Sequence, residues 1–269
     1  MIGVNRLLRT IRLALLSSYI AGERPVSIML ISKEPESGKT EIIEKFSAIP
    51  KIKVVTDTTA FGIWRDFHKP IARGEINHLL FPDFLTALSR RSTIDSLITT
   101  LNPLIEEGVA EIHTGFLPPI KIQSPRPIGI ITAMIKAPFD CYREEWIKNG
   151  FTSRLVLVTY SYSDGTKRSI LNSIVEGKYK EERKVNLKLP SEPVPIYCSK
   201  AIGVELRMLC RQVLASDRSI APHGFRMLKH LIVMAKASAL LFGRDEVTQE
   251  DLDNLEDIST HINERYTEI

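Results

Sequence analysis

Five short apolar runs, separated by stretches with helical spacing, constrain this chain more than any other feature. They are Val26–Ile31, Ile52–Thr56, His78–Phe81, Gly129–Thr132 and Leu155–Tyr160. A strand with one wet face alternates polar and apolar residues. These runs are continuous, so each needs cover on both faces. Alternating with helices, they predict an α/β fold: a parallel five-stranded sheet flanked by helices. A chain of 269 residues buries enough surface to fold without disulfides or a structural metal. Cys141, Cys198 and Cys210 form no C-x-x-C pair. That pattern suits a reducing compartment, and a cytoplasmic protein is expected. No apolar stretch reaches the roughly 18 residues of a membrane helix.

Around the strands, Val4, Leu7, Leu8, Ile11, Leu15 and Leu16 space an amphipathic N-terminal helix that Gly22 and Pro25 end. Phe84–Leu88 and Thr93–Glu107 also read as helical. Ala110–His113 and Ile120–Gln123 read as a hairpin. Residues 166–198 are rich in Lys, Glu and Pro and read as a linker. Beyond it the pattern is helical over Lys200–Leu214, His223–Phe242 and Thr248–Tyr266, the last opening with Thr248-x-x-Asp251. The expected division is an α/β domain over 1–165, the linker, and a small helical domain over 199–269.

The first run leads into Ser32-Lys33-Glu34-Pro35-Glu36-Ser37-Gly38-Lys39-Thr40, with a helical stretch after it. Strand, loop, Gly-Lys-Thr and helix is the context of a phosphate-binding loop. Backbone N–H groups of Glu36, Ser37 and Gly38 would cradle phosphates. Lys39 would reach the β- and γ-phosphates and Thr40 would ligate Mg²⁺. The motif ordinarily opens with glycine where this chain has Lys33, a residue that disfavours positive φ.

With that loop in place, the remaining pieces resemble an AAA+ ATPase, and most closely the minichromosome-maintenance helicases and MoxR-like relatives. His78-Leu79-Leu80-Phe81-Pro82-Asp83-Phe84 resembles a Walker B segment. In one alignment Asp83 holds Mg²⁺ and Phe84 replaces the water-activating glutamate. Slid by one residue, Asp83 is the base and Pro82 stands at the metal position. Both leave one carboxylate where the family has two. The strand Ile128–Met134 resembles the sensor 1 strand, with Thr132 as its polar residue. Gly150-Phe151-Thr152-Ser153-Arg154-Leu155 resembles the segment carrying the arginine finger, which makes Arg154 the finger. His223-Gly224-Phe225-Arg226 and the helices beyond resemble the helical lid, in which Arg226 would touch the γ-phosphate. The hairpin over 111–123 stands where these helicases contact DNA, with His113, Lys121 and Arg126 as its basic residues.

The resemblance implies ATP and Mg²⁺ as cofactors and a homo-oligomer, commonly a hexameric ring or a helical assembly, with ATP between subunits. It implies action on DNA, as a helicase-like protein, loader or replication factor. The alternatives are a MoxR-like chaperone acting on a protein partner, and an ATP-switched assembly protein with little hydrolysis. Glu75 is another acid that could approach after folding and supply the missing base. Net charge is +4, and residues 243–269 hold nine acids against Arg244 and Arg265, so the rest of the chain is distinctly basic. That balance is compatible with an anionic partner. Arg6, Arg9 and Arg12 form a helical stripe open to phosphate or to water.

Overall fold

The computed structural model describes residues 2–87, 91–112, 120–122, 124–178, 184–215, 224–262 and 266–269. Its strands are β1 (Ser27–Ser32), β2 (Ile52–Val54), β3 (His78–Phe81), β4 (Glu111–Ile112), β5 (Ile120–Lys121), β6 (Gly129–Ile135) and β7 (Leu155–Tyr160). β4 and β5 pair antiparallel as a separate hairpin. The other five form one parallel sheet in the order β2-β3-β6-β1-β7. Ser27 lies opposite Leu155, and Ser32 lies between Ile135 and Tyr160.

The continuous runs of β1, β3, β6 and β7 are explained by cover on both faces, while the edge strand β2 is only partly buried. Ile28, Leu30, Val156 and Val158 point to one apolar cluster, and Met29, Ile31, Leu79 and Phe81 point to the other. The second face is covered by α3 (Ala60–Ala72), α4 (Phe84–Ala87), α5 (Arg91–Glu106) and α6 (Lys136–Lys148). The first is covered by α1 (Asn5–Ser17), α2 (Lys39–Glu44), α8 (Lys200–Leu214), α9 (Phe225–Leu241) and α10 (Gln249–Ser259). Side chains at the helix starts support these boundaries. Thr59 accepts from Gly62 N at 3.1 Å, and Ser199 accepts from Ile202 N at 3.3 Å. Asp251 accepts from Thr248 N at 2.9 Å, completing the reach-back that Thr248-x-x-Asp251 predicts.

The helical C-terminal part shares one continuous apolar cluster with α1 and the sheet. Arg6 and Arg9 of α1 are ion-paired with Asp257 of α10, at 2.6 and 3.3 Å. Two members of the basic stripe therefore serve a helix–helix contact.

Two stretches differ from expectation. The 166–198 linker contains most of a helix, α7 (Asp164–Val175), started by Ser163 accepting from Thr166 N at 3.2 Å. The chain from Lys184 onward is then a strap held by backbone bonds. Val185 N donates to Lys45 O, Val194 N to Tyr19 O, and Tyr197 N to Asp245 O. The last helix stops at Ser259 rather than Tyr266, and the terminus turns back along the open edge of β7. Thr159 N donates to His261 O at 2.7 Å, Ile269 N to Ser161 O at 3.0 Å, and Ser163 N to Ile269 O at 3.1 Å. Backbone bonding of an otherwise unpaired edge outweighs helix continuation here. Among the described residues, no helix is long and apolar enough to cross a membrane.

Candidate functional site

The loop between β1 and α2 turns at two left-handed residues, Glu36 at φ 56° and Gly38 at φ 69°. Lys33, the expected position of strain, does not take positive φ. The conformation that a first glycine would supply is adopted by Glu36 instead, costing about 1–2 kcal/mol for a residue with a Cβ. Lys39 opens α2, which has only six residues. Its Nζ lies 2.5 Å from Ser32 Oγ and 2.9 Å from Ser37 Oγ. Burial lowers the Lys39 pKa from the ordinary lysine value, and the Asp83 carboxylate pulls it partly back.

Two tyrosines hold the loop from the end of β7. Tyr160 OH and Tyr162 OH each donate to Ser37 O at 2.9 Å. Burial pushes the Tyr160 phenol pKa upward, so it stays a protonated donor. Both escaped the sequence reading. The signal was present, since Tyr160-Ser161-Tyr162 follows an otherwise apolar strand at the end where the loop lies.

β3 delivers Pro82 and Asp83 beside the loop. Thr40 Oγ1 donates to Pro82 O at 3.5 Å, so the backbone facing the Thr40 hydroxyl belongs to residue 82. Asp83 is exposed and starts α4, accepting from Leu85 N at 3.0 Å and Thr86 Oγ1 at 3.1 Å. Phe84 is fully buried, its ring centroid 5.8 Å from Phe81, 5.9 Å from Trp146 and 5.9 Å from Phe151. The slot after Asp83 therefore faces the core. Pro82 thus lies beside Thr40, with Asp83 next in the chain. The hard oxygens of Thr40 and Asp83 suit Mg²⁺, which binds through one or two protein ligands and substrate phosphates. Among the described residues, no group of three or more His, Cys, Asp or Glu forms a metal site by itself.

Thr132 lies inside β6, opposite Met29, rather than at the strand's end. It is fully buried, and its hydroxyl donates to Phe81 O at 3.1 Å. Glu75 precedes β3, at the opposite end of the sheet from Lys39, and pairs with Arg73 at 3.7 Å.

Arg154 and Arg226 come together at that same amino end. Arg154 Nε lies 3.2 Å and Arg226 Nε 3.1 Å from Glu106 Oε2. Arg226 Nη1 also donates to Ser153 Oγ at 3.0 Å. Six residues of β1 separate this end from the loop, about 20 Å at strand rise. The structure thus gathers residues 36–40 and Asp83 at one end and the two arginines at the other.

Of the hairpin's basic residues, His113 lies outside the described residues. Lys121 faces Glu111 across the hairpin at 3.8 Å. Arg126 is exposed and lies over Gly74, where a Cβ would sit 2.2 Å from its Nη1. No protein-family model matches the chain, and a search of curated proteins finds no match.

Proposed function

We propose that this chain binds ATP with Mg²⁺ at the β1–α2 loop and works as a self-assembling module of the AAA+ kind, with nucleotide between subunits. The observation that carries the reading is the Lys39 ammonium, set between the hydroxyls of Ser32, at the end of β1, and Ser37, in the loop, in the field of Asp83. It lies at the carboxyl end of a parallel sheet, where α/β folds take their ligands. Thr40 and Asp83 would hold the metal ion, which neutralises phosphate charge when bound. On this reading α8–α10 form the lid, and Arg154 and Arg226 serve a neighbour's nucleotide, being about 20 Å from their own loop. A surface that gives at one end and receives at the other joins copies head to tail, as a ring or a helical assembly.

Within this reading we favour a nucleotide-switched assembly with slow turnover. Among the described residues Asp83 is the carboxylate whose charge acts on Lys39, Pro82 offers only a carbonyl, and Phe84 is closed into the core. Action on DNA, as a helicase-like protein, loader or replication factor, rests on the resemblance. So does the MoxR-like alternative with a protein client.

The test is ATP binding and turnover by the purified protein, with and without single- and double-stranded DNA, beside Lys39→Ala. Binding lost in Lys39→Ala and weak, DNA-insensitive turnover in the wild type are expected. DNA-stimulated turnover would favour the motor reading, and equal affinity in both proteins would remove the nucleotide site.

A further inference from the structure

We infer that α7 of one copy docks into the groove between α8 and α10 of another, a contact that needs no nucleotide and does not rest on the reading of the β1–α2 loop. α7 presents an apolar face that its own chain leaves uncovered. Leu171, Ile174 and Val175 are 61%, 47% and 87% exposed, and their spacing puts them on one side of the helix. Arg168, three residues before Leu171, continues that side toward the start of the helix. The neighbouring charges cancel: Lys167 lies 3.6 Å from Asp164, and Lys178 lies 2.7 Å from Glu176. Arg168 has no ion-pair partner among the described residues. The face is therefore cationic at its amino end and aliphatic toward its carboxyl end.

The helical C-terminal part supplies the complement. Met208 and Leu209 of α8 and Leu252 of α10 line an open groove, together with the carboxylates Glu205 and Glu256. Met208 is 51% exposed, a flexible side chain able to fit an incoming surface. Neither glutamate has an ion-pair partner among the described residues. Asp253, beside Leu252, adds to the negative rim. Arg207 and Arg211 of α8 are exposed too, but at about 3.6 residues per turn they leave the helix on the side opposite Leu209. Aliphatic side chains thus meet an apolar floor, and Arg168 meets glutamates. Both surfaces stay open within one folded chain, so the match is made between chains. An anionic lipid surface also suits a basic amphipathic helix, but it would leave the groove empty. The two surfaces differ, so the contact is either exchanged by two copies or repeated from copy to copy. One helix in one groove covers less area than a permanent interface, which makes the association weak and salt-sensitive.

The first test is sedimentation velocity of the full chain without nucleotide, over a series of protein concentrations. Wild type should associate, and added salt should weaken it. Leu171→Asp/Val175→Asp should need at least about tenfold more protein to associate. No residue of α7 is buried, so these changes spare the core, and a melting temperature close to that of wild type checks this. Wild type that stays monomeric up to about 1 mM overturns the inference. So does an apolar variant that associates like wild type. Either failure leaves the nucleotide reading untouched, because no nucleotide is present.

The second test reverses the charges. Arg168→Glu and Glu205→Arg/Glu256→Arg should each associate severalfold more weakly, since like charges then meet. Mixed in equal amounts they should recover, because the reversed helix of one protein faces the reversed groove of the other. A mixture that fails to recover overturns the pairing of these two surfaces. A monomeric wild type that binds vesicles of anionic phospholipid, and loses them in Leu171→Asp/Val175→Asp, overturns it in favour of a lipid surface.

Discussion

The Ser37 carbonyl is held by two phenols, and this fixes more than one atom. In a trans peptide the following N–H points opposite to the carbonyl. Tyr160 and Tyr162 therefore turn the Gly38 N–H away from β7, where it is available to an anion. Each hydroxyl contributes about 1 kcal/mol as an ordinary hydrogen bond. Tyr162→Phe should weaken ATP binding severalfold, and the double Tyr160→Phe/Tyr162→Phe by about tenfold or more. Unchanged affinity in the double variant, by titration, would refute the loop-holding role. His78 makes the residue-scale case for stability. It is buried on β3 opposite Gly129, where a Cβ would sit 2.3 Å from its ring. Burial lowers its pKa from 6.5 to about 4, with the Val26 and Ala14 backbone acting the other way. Below pH 6.5 the unfolded chain takes up this proton while the folded chain does not, so stability falls as pH drops from 6.5 toward 4. The loss at pH 5 should be about 2 kcal/mol. Urea midpoints at pH 7.5 and 5 should therefore differ less in His78→Gln than in wild type; the same pH slope in both would exclude the assignment.

At the scale of elements, legibility followed burial. β1, β3, β6 and β7 stood in the sequence as apolar runs because both faces are covered, whereas the edge strand β2 is only partly buried and carries the exposed Lys53; β3 and β7 match their predicted bounds, His78–Phe81 and Leu155–Tyr160. The terminal strip along β7 was not legible, because its contribution is backbone bonding, which leaves no mark in side-chain periodicity. Its acidic, helix-compatible composition read as more helix. α7 was hidden for a related reason: none of its residues is buried, and its apolar residues are confined to its second half, too short a stripe to mark a helix. The loop residues were legible as a motif, whereas the Arg24–Glu106–Arg154–Arg226 cluster joins four remote positions that only the fold brings together. The strip itself is testable. Ending the chain after Tyr266 removes the Ile269 bonds to Ser161 and Ser163 and the Thr267 bond to Ser161. A loss of about 2 kcal/mol is expected from these partly exposed bonds. The bared edge should also promote aggregation, read by a lower melting temperature and earlier light scattering.

At the scale of the whole molecule, the sheet keeps two charged devices apart. Lys39, Thr40 and Asp83 stand at its carboxyl end. Arg154, Arg226 and Arg24 stand at its amino end, with the rigid, doubly buried strands between them. A hinge that closed one end on the other would have to break that sheet, so no modest motion unites the two sets in one chain. If both serve one nucleotide, the site is completed by a second copy, and damage to the two ends must behave as separable. On that reading Lys39→Ala should lose nucleotide binding but keep the arginines, and Arg154→Ala should keep the loop but lose the donor. Each alone should fail to assemble stably with ATP. Mixed in equal amounts, the two can form an interface in which an intact loop meets an intact arginine set, the signature of a heterologous contact. ATP-dependent co-assembly of differently labelled variants, read by energy transfer between the labels, is therefore expected in the mixture and absent from either alone. A mixture as inert as its components would place the arginines in another role, as a structural ion-pair cluster tying α5, α9 and the loop before β1 together.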